Sequence, residues 1–438
     1  PTGACIGSAV TGPVRALGGH VTAGERRRTP ARPWPEREPD GRVSSGACRE
    51  LPPELGPDAV GVLEGRTFMF SNAAGDVPKG SIGGLVHDDT RFLDQWELTI
   101  GDAPLLVLGS GTVDPFSAAF FLANADLPGL PPNRVGVRRQ RFVGDGLYER
   151  IELRYFGLEP VEFRLRLAVG TDFADLFEIK ESGRDRSAEI LRRHESDGSG
   201  LSFGYRNGAY STMVRVEADP AAHEVDGDSL VWHLRLARGQ AWRCELRVPL
   251  RCGDERMMPV ARSFGDVFER APEEPAARWL AAVPRLVTAS DRLAAVYLKS
   301  AADLTSMRLE KRIRGESVVL HAAGLPWFMT VFGRDTLITG YQTIAFGAAL
   351  AGGALLVLAD HQARDHDDFT DREPGKIFHE YRSGELTQLG LKPYQPYYGG
   401  ADTTPLWLVV LSEYWRWTGD DELVRRLRPN AEAALRWI

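Results

Sequence analysis

The feature that most constrains the fold is a change of hydrophobic period along the chain. Between about residues 60 and 252, apolar side chains recur at every second position, as in VEFRLRLAV at 161–169. This period is typical of a strand with one buried face. Turn signals such as GDG at 144–146 and DGD at 226–228 separate the runs. The pattern predicts a large antiparallel β-sandwich over residues 53–255.

The run LYERIELRY at 147–155 follows the period-two pattern except at one position. Leu147, Ile151 and Leu153 fall on a common face, which predicts a half-buried strand. Glu149 falls on the same face and interrupts it.

After residue 290 the apolar period becomes 3.6. Ser290 is a candidate N-cap for a helix through SDRLAAVYLKSAADLTSMRL. Residues 256–290 are expected to form a linker with short helices, and 291–438 a helical domain. Further helices are predicted at 336–350, 353–365, 402–417 and 421–427, with another opening at Pro429.

One uncharged run, TIAFGAALAGGALLVLA at 343–359, resembles a membrane span. It is shorter than the roughly 20 apolar residues that a bilayer requires, and Gly352-Gly353 interrupts it. Two buried helices meeting at a Gly-Gly turn are the preferred interpretation, so no membrane partner is expected.

Composition narrows the class of protein further. The net charge is −7, with acids and bases interspersed, which argues against nucleic acid as the main partner. Four irregularly spaced cysteines favour free thiols in a reducing, cytoplasmic compartment: Cys5, Cys48, Cys244 and Cys252. Residues 1–52 are rich in Arg, Pro and Gly without apolar periodicity, which predicts a disordered leader.

The last residues, PNAEAALRWI, continue an apolar helical pattern without a closing signal. A helix whose apolar face has no following partner is an unusual ending. We therefore expect the 438 residues to be the N-terminal portion of a longer protein.

Two stretches carry candidate chemistry. PWFMTVFGRDTLI at 326–338 places Arg334 and Asp335 in apolar surroundings, which indicates either a structural ion pair or a polar pocket. Residues 366–407 then form a long segment, and such loops in helical arrays are often functional. Its carboxylates, bases and rings suit sugar recognition: Glu380, Glu385, Asp402; Lys376, His379, Arg382; Phe378, Tyr381, Tyr394, Tyr397, Tyr398 and Trp407.

Four motifs in order make the sequence resemble bacterial glycogen-debranching-like proteins of the amylo-α-1,6-glucosidase type. GLVHDDTRFLDQWEL at 84–98 resembles part of their N-terminal sandwich. Three motifs resemble the (α/α)6 toroid that follows it in them: PWFMTVFGRDTLI, EPGKIFHEYR and YYGGADTTPLWLVVLSEY. The resemblance spans about residues 60–438. It implies an antiparallel β-sandwich followed by part of an (α/α)6 toroid.

The resemblance also implies roles for residues at matching positions. Arg334 and Asp335 would grip sugar hydroxyls, Asp402 would be the general acid, and Glu380 would be a second catalytic or pocket carboxylate. The general base would lie beyond residue 438. The same motifs suggest further substrate-binding residues: Trp327, Lys376, His379, Arg382 and Tyr398.

The implied activity is inverting hydrolysis of an α-glucan, without cofactor or metal. An acid protonates the glycosidic oxygen while a second carboxylate activates water about 6.5–9.5 Å away. With the base absent, the 438 residues alone are expected to be inactive. Two alternatives stay open: an inactive carbohydrate-binding protein, or a toroid glycosidase of another substrate such as trehalose or a rhamnoside. Linkage and oligomeric state are not determined by the sequence.

Several of these residues also have structural interpretations. Asp402 can serve as a helix N-cap. Glu380 and Glu385 are alternatives to Asp402 as the general acid. The cluster at 361–368, rich in His and Asp, suits a metal, but its spacing favours a solvated helix end. His87-Asp88-Asp89 is expected to be structural, and Trp415 and Trp417 are expected to pack in the core and at its edge.

Overall fold

The structure is a computed structural model that describes residues 55–180, 189–195, 198–259 and 275–438. The predicted disordered leader at 1–52, with Cys5 and Cys48, lies outside these residues, as does much of the predicted linker. The strands are β1 (Val60–Glu64), β2 (Thr67–Ser71), β3 (Gly84–His87), β4 (Thr90–Leu93), β5 (Gln95–Ile100), β6 (Ala103–Pro104), β7 (Leu106–Asp114), β8 (Ser117–Ala123), β9 (Val135–Val143), β10 (Leu147–Tyr155), β11 (Val161–Gly170), β12 (Leu191–His194), β13 (Gly200–Asn207), β14 (Tyr210–Asp219), β15 (Glu224–Asp226), β16 (Ser229–Leu236), β17 (Ala241–Val248), β18 (Leu250–Cys252), β19 (Glu255–Met257), β20 (Arg308–Ile313), β21 (Glu316–His321), β22 (Val331–Phe332) and β23 (Glu380–Tyr381). The helices are α1 (Leu176–Lys180), α2 (Pro275–Ala282), α3 (Asp291–Ser306), α4 (Gly333–Thr343), α5 (Ala349–Asp360), α6 (Glu385–Gln388), α7 (Thr403–Thr418) and α8 (Asp421–Trp437), with a 3₁₀ turn at Ile344–Phe346.

The region up to β19 is built from antiparallel sheets, as the period-two pattern predicts. The largest sheet has the order β12-β13-β14-β17-β10-β9-β8-β7, with β18 and β19 attached beside β14. A second sheet has the order β15-β16-β11-β5-β6, and a third runs β1-β2-β3-β4. One continuous hydrophobic core draws on all three sheets and includes the fully buried rings of Trp96, Trp232 and Phe120. The predicted antiparallel β structure of this part of the chain is confirmed, and the domain bounds 53–255 stay a prediction.

Helix α3 forms where Ser290 predicts its start, and the Ser290 hydroxyl accepts a hydrogen bond from the Leu293 backbone N–H at 3.3 Å. The 3.6-residue spacing predicts an apolar face formed by Leu293, Val296, Tyr297, Ala301 and Leu304, and only the C-terminal part of the helix is buried. Small and polar residues at the C-terminal end are buried, Ala301 and Thr305 among them, while Leu293 is 50% exposed.

The predicted Gly-Gly turn is wrong, because Gly352 and Gly353 both lie inside α5. A Cβ at Gly353 would stand 1.9 Å from the carbonyl oxygen of Val319 in β21. The glycine therefore lets the helix backbone approach the hairpin, and it does not end the helix.

Two further predictions near the end of the sequence are wrong. A single helix, α8, runs through Pro429, although a new helix was expected to open there. Its buried face, formed by Leu423, Leu427 and Ala434, continues across the proline. Trp415 and Trp417 are 47% and 62% exposed, so they do not pack in the core.

The helical region also contains a hairpin that the sequence pattern did not indicate, formed by β20 and β21. Helix α4 packs on α5 and α7, and α5 packs on β21. Helices α4, α5, α7 and α8 contribute to a second hydrophobic core that includes Leu355, Leu358 and Trp407. The toroid part of the fold stays a prediction. None of the helices in the described ranges combines the length and apolar character needed to span a bilayer.

Candidate functional site

The N-termini of α4 and α7 meet at the candidate site. Arg334, in the first turn of α4, donates a hydrogen bond from Nη1 to Oδ2 of Asp402 at 3.1 Å. Asp402 directly precedes α7. Gly333 permits the close approach, since a Cβ there would lie 2.2 Å from the Phe378 carbonyl oxygen and 2.5 Å from Cγ2 of Thr403.

Asp402 occupies the N-cap position of α7, but its side chain makes no capping hydrogen bond. Its carboxylate is instead directed to Arg334, which also lies 3.9 Å from Oδ2 of Asp335. All three side chains are partly open to solvent, at 48% for Arg334, 39% for Asp335 and 51% for Asp402. The structure thus gathers one guanidinium and two carboxylates at a solvent-reachable position.

The His379 ring lies close to this group. A Cβ on Gly400 would stand 3.2 Å from Nδ1 of His379 and 3.3 Å from Oδ1 of Asp402. Nδ1 of His379 is buried and has no hydrogen-bond partner among the described residues. The ring packs edge-on against Phe332 and Tyr397. An unpartnered imidazole nitrogen beside the carboxylate is suited to a polar ligand.

The backbone of Glu380 pairs with the strand that leads into α4. In the short antiparallel pair of β22 and β23, Glu380 lies opposite Phe332, the residue that precedes α4. The amide of Gly333 donates to the His379 carbonyl at 2.8 Å. Strand pairing therefore fixes the start of α4 against the segment that carries His379 and Glu380.

The Glu380 side chain lies away from solvent, at 8% exposure. Its Oε1 accepts from Nε of Arg382 at 2.6 Å. Arg382 also donates to the Trp327 carbonyl at 2.8 Å and is itself buried. Burial opposes the charge of Arg382, but Asp89 and Glu380 outweigh it and raise its pKa. Glu380, Arg382 and Asp89 thus form a buried ion network, and the predicted catalytic role of Glu380 and sugar contact of Arg382 stay predictions.

Two other predicted binding residues point elsewhere. Lys376 is buried and donates to the Asp371 carbonyl and to Glu373, each at 3.1 Å. The Tyr398 hydroxyl donates to the His361 carbonyl at 2.5 Å, and burial raises the pKa of Tyr398 to about 12. Both side chains support the loop around the site, and their predicted contact with sugar stays a prediction.

Glu385, the competitor for the acid role, is fully buried. Its Oε1 accepts from the Tyr205 hydroxyl at 2.8 Å and from Nδ2 of Asn207 at 2.7 Å, both in β13 of the sandwich. This places Glu385 at the boundary between the sandwich and the helices. In the acidic segment 361–368, Asp367 binds Arg372, and the described residues contain no grouping of three potential metal ligands.

Asp89, which was expected to be structural, contacts the buried ion network of Glu380 and Arg382. Asp89, in the turn between β3 and β4, accepts from Nη1 of Arg382 at 2.7 Å and from the Ser383 amide at 2.8 Å. No local pattern indicates this contact, because 293 positions separate Asp89 from Arg382.

The geometry supports binding of a neutral, hydroxyl-rich ligand. A guanidinium donates to hydroxyl oxygens and carboxylates accept from hydroxyl hydrogens, while nearby rings cover apolar C–H faces. A half-exposed carboxylate is also placed where it can exchange a proton with a bound molecule.

Comparison with known proteins agrees with this architecture. Residues 62–247 match the family model described as the N-terminal domain of some glycogen debranching enzymes. The resemblance expected for the sandwich is therefore confirmed over those residues. No curated protein matches the chain.

Solved structures support the fold over a wider range. A putative kojibiose phosphorylase from the human microbiome is similar at a TM-score of 0.52 with 8% identity, covering 83% of this chain. The match spans 54% of that protein. A putative aldose 1-epimerase from Escherichia coli K12 has 8% identity and a TM-score of 0.29, covering 44% of this chain and 99% of its own. The first likeness shows a shared fold, and the second is too weak to carry an argument.

Proposed function

We propose that the protein is a glycoside hydrolase that acts on α-glucans, of the debranching, amylo-α-1,6-glucosidase type. The observation that carries the proposal is the half-exposed group of Arg334, Asp335 and Asp402 where two helix N-termini meet. The debranching-enzyme domain over residues 62–247 supports the class of substrate.

In the proposed mechanism Asp402 is the general acid and Arg334 holds hydroxyls of the terminal sugar. To act as an acid, Asp402 must hold a proton. Its hydrogen bond from Arg334 therefore gives way, on binding, to bonds from Arg334 to the sugar. The nearby imidazole of His379 offers a further polar contact. Inversion needs a second carboxylate about 6.5–9.5 Å from the acid, which activates the attacking water.

Binding and turnover are tested separately. We expect the chain to bind isomaltose in titration calorimetry. Arg334→Ala is expected to weaken binding by about tenfold or more, because charge-assisted hydrogen bonds to the sugar are lost. Arg426→Ala, which breaks the Arg426–Glu316 pair elsewhere in the helical region, is the matched control and is expected to keep the wild-type affinity.

Two results would count against the proposal. Absence of isomaltose and limit-dextrin binding by the wild-type chain contradicts an α-glucan site. Equal affinity of wild type and Arg334→Ala contradicts the placement of that site. Turnover is assayed as glucose release from isomaltose, and release that is abolished in Asp402→Asn would support Asp402 as the general acid.

A further inference from the structure

We infer that Asp89 of the sandwich is a positioning residue of the sugar pocket, acting through Arg382 on Glu380 and on the start of α4. The inference rests on the proposed function and deepens it. It gives the sandwich a defined part in shaping the site, beyond being attached to the helical region.

The first step is the buried bridge between the two regions. Asp89 is 2% exposed and Arg382 is 3% exposed. Oδ1 of Asp89 accepts from Nη1 of Arg382 at 2.7 Å, and Oδ2 accepts from the Ser383 amide at 2.8 Å. Asp89 is one of two buried carboxylates that pair with Arg382, the other being Glu380. Without the Asp89 charge the guanidinium stays paired with Glu380 but loses its ionic link to the sandwich, so its position is no longer fixed from that side.

The second step is the rigidity of Arg382. All three of its guanidinium nitrogens are used, for Asp89, for Glu380 and for the Trp327 carbonyl. The group lies within 5.5 Å of the Phe177 ring centre and 5.2 Å of the Phe332 ring centre. A planar guanidinium fixed by three acceptors transmits the position of one acceptor to the others.

The third step leads from Arg382 to the site. Glu380 lies opposite Phe332 in the strand pair, and Phe332 immediately precedes α4. Arg334, two residues further on, holds Asp402 at 3.1 Å. A shift of Glu380 and Phe332 therefore moves the guanidinium proposed to bind sugar.

Other contacts hold the same loop when Asp89 is changed. The Leu386 amide donates to Oδ2 of Asp175 at 3.0 Å, and Glu385 accepts from Tyr205 and Asn207. Because these bonds do not involve Asp89, we expect the Asp89→Asn variant to fold. The substitution keeps the size of the side chain and removes its charge.

The test compares Asp89→Asn with Asp172→Asn. Asp172 is a sandwich carboxylate that accepts from Nε of Arg91 at 3.1 Å. The control removes an Asp–Arg pair of the sandwich in which the Asp172 side chain is 33% exposed. Both variants are assayed at a temperature at which circular dichroism shows them folded. We expect Asp89→Asn to bind isomaltose at least about fivefold more weakly than wild type, and Asp172→Asn to keep the wild-type affinity.

A double variant separates positioning from general damage. If Asp89 acts through Arg382 on Glu380, Asp89→Asn combined with Glu380→Gln weakens binding by less than the product of the two single effects. Should Asp89→Asn fail to fold, Arg382→Lys replaces it, because lysine keeps the charge but cannot bridge three acceptors in a plane. A folded variant with wild-type affinity overturns the inference.

The inference stays testable if the wild type binds no α-glucan and the proposed function fails. Hydrogen–deuterium exchange of the peptide 326–340 then serves as the readout without sugar. Faster exchange around Gly333–Thr336 in Asp89→Asn, and not in Asp172→Asn, supports positioning. Unchanged exchange in both variants overturns it.

Discussion

At the scale of single residues, Glu149 shows how a side chain that violates a pattern is accommodated. It faces the core of the sandwich and is fully buried, where the alternation predicts an apolar residue. Nε of Arg139 and Nε of Arg141, both in β9, donate to it at 2.7 Å each. Burial alone would raise the pKa of Glu149, but Arg139 and Arg141 outweigh it and hold the pKa below its usual value. The exception in the pattern is a buried ion cluster.

We predict that Glu149→Ala lowers the free energy of unfolding by about 3–5 kcal/mol, because two buried guanidinium groups lose their common partner. Glu152→Ala, on the same strand, removes the partner of the more exposed Arg138. It is expected to cost at most about 1 kcal/mol. Urea denaturation of both variants measures the difference, and equal losses would contradict the assignment of Glu149 to a stabilising cluster.

At the scale of elements, close backbone approach and tertiary contact override local signals. Gly353 was predicted to end a helix but lies within α5. Its missing side chain lets the helix backbone approach the Val319 carbonyl. Pro429 likewise lies within α8. Beside it, Nδ2 of Asn430 donates to the Ala359 carbonyl at 3.0 Å and to Oε1 of Gln362 at 2.8 Å. Helix α8 therefore continues through Pro429 where it packs against α5, although proline within a helix favours a break.

We predict that Gly353→Ala destabilises the protein by about 1–3 kcal/mol, since the added methyl group meets backbone that must move. Gly352→Ala is the matched control, because the atoms nearest to its Cβ would belong to the Tyr414 side chain, at 3.2 Å, and not to backbone. Helix propensity favours alanine by about 1 kcal/mol at both positions, so Gly352→Ala is expected to be close to neutral. Thermal unfolding compares them, and equal midpoints would refute the close-approach argument.

For the whole molecule, buried polar contacts join the sandwich to residues 382–386, which lie in the chain between His379 and Asp402 of the candidate site. Besides Asp89, the sandwich contributes Asp175, whose oxygens accept from the Phe177 amide and the Leu386 amide at 3.0 Å each. Burial raises the pKa of the Asp175 carboxyl to about 7. Its charge state therefore changes near neutral pH at the boundary between the two regions.

This shift predicts a pH-dependent stability. The unfolded carboxyl titrates near about 3.9, so protons bind more tightly to the folded state. The resulting stabilisation is fully present below that pH and is lost as the pH rises through about 7. Compared with Asp175→Asn, the wild type is expected to lose up to about 1.4 kcal/mol of unfolding free energy per pH unit within this window.

The measurement is urea denaturation of wild type and Asp175→Asn from pH 4 to pH 8. Taking the difference between the two proteins cancels the groups that titrate in both. A difference that stays constant across this range would contradict the role of Asp175.

Features that depend on neighbours along the chain were predictable from the order of the amino acids. Period-two alternation marks strands such as β10 and β11, and Ser290 marks the start of α3, because side-chain direction and capping are local properties. The charged pair Arg334-Asp335 within an apolar run likewise marks a candidate polar site, because that contrast is visible among adjacent residues.

Tertiary structure alone decided which distant groups meet. It brought Arg334 to Asp402, buried Glu380 with Arg382, and supplied the counter-charge from Asp89, 293 positions away from Arg382. The sequence around an acidic residue in a turn does not show whether its side chain faces solvent or pairs with a buried arginine. The free energy that distinguishes these cases comes from desolvation and pairing, which depend on the packed environment.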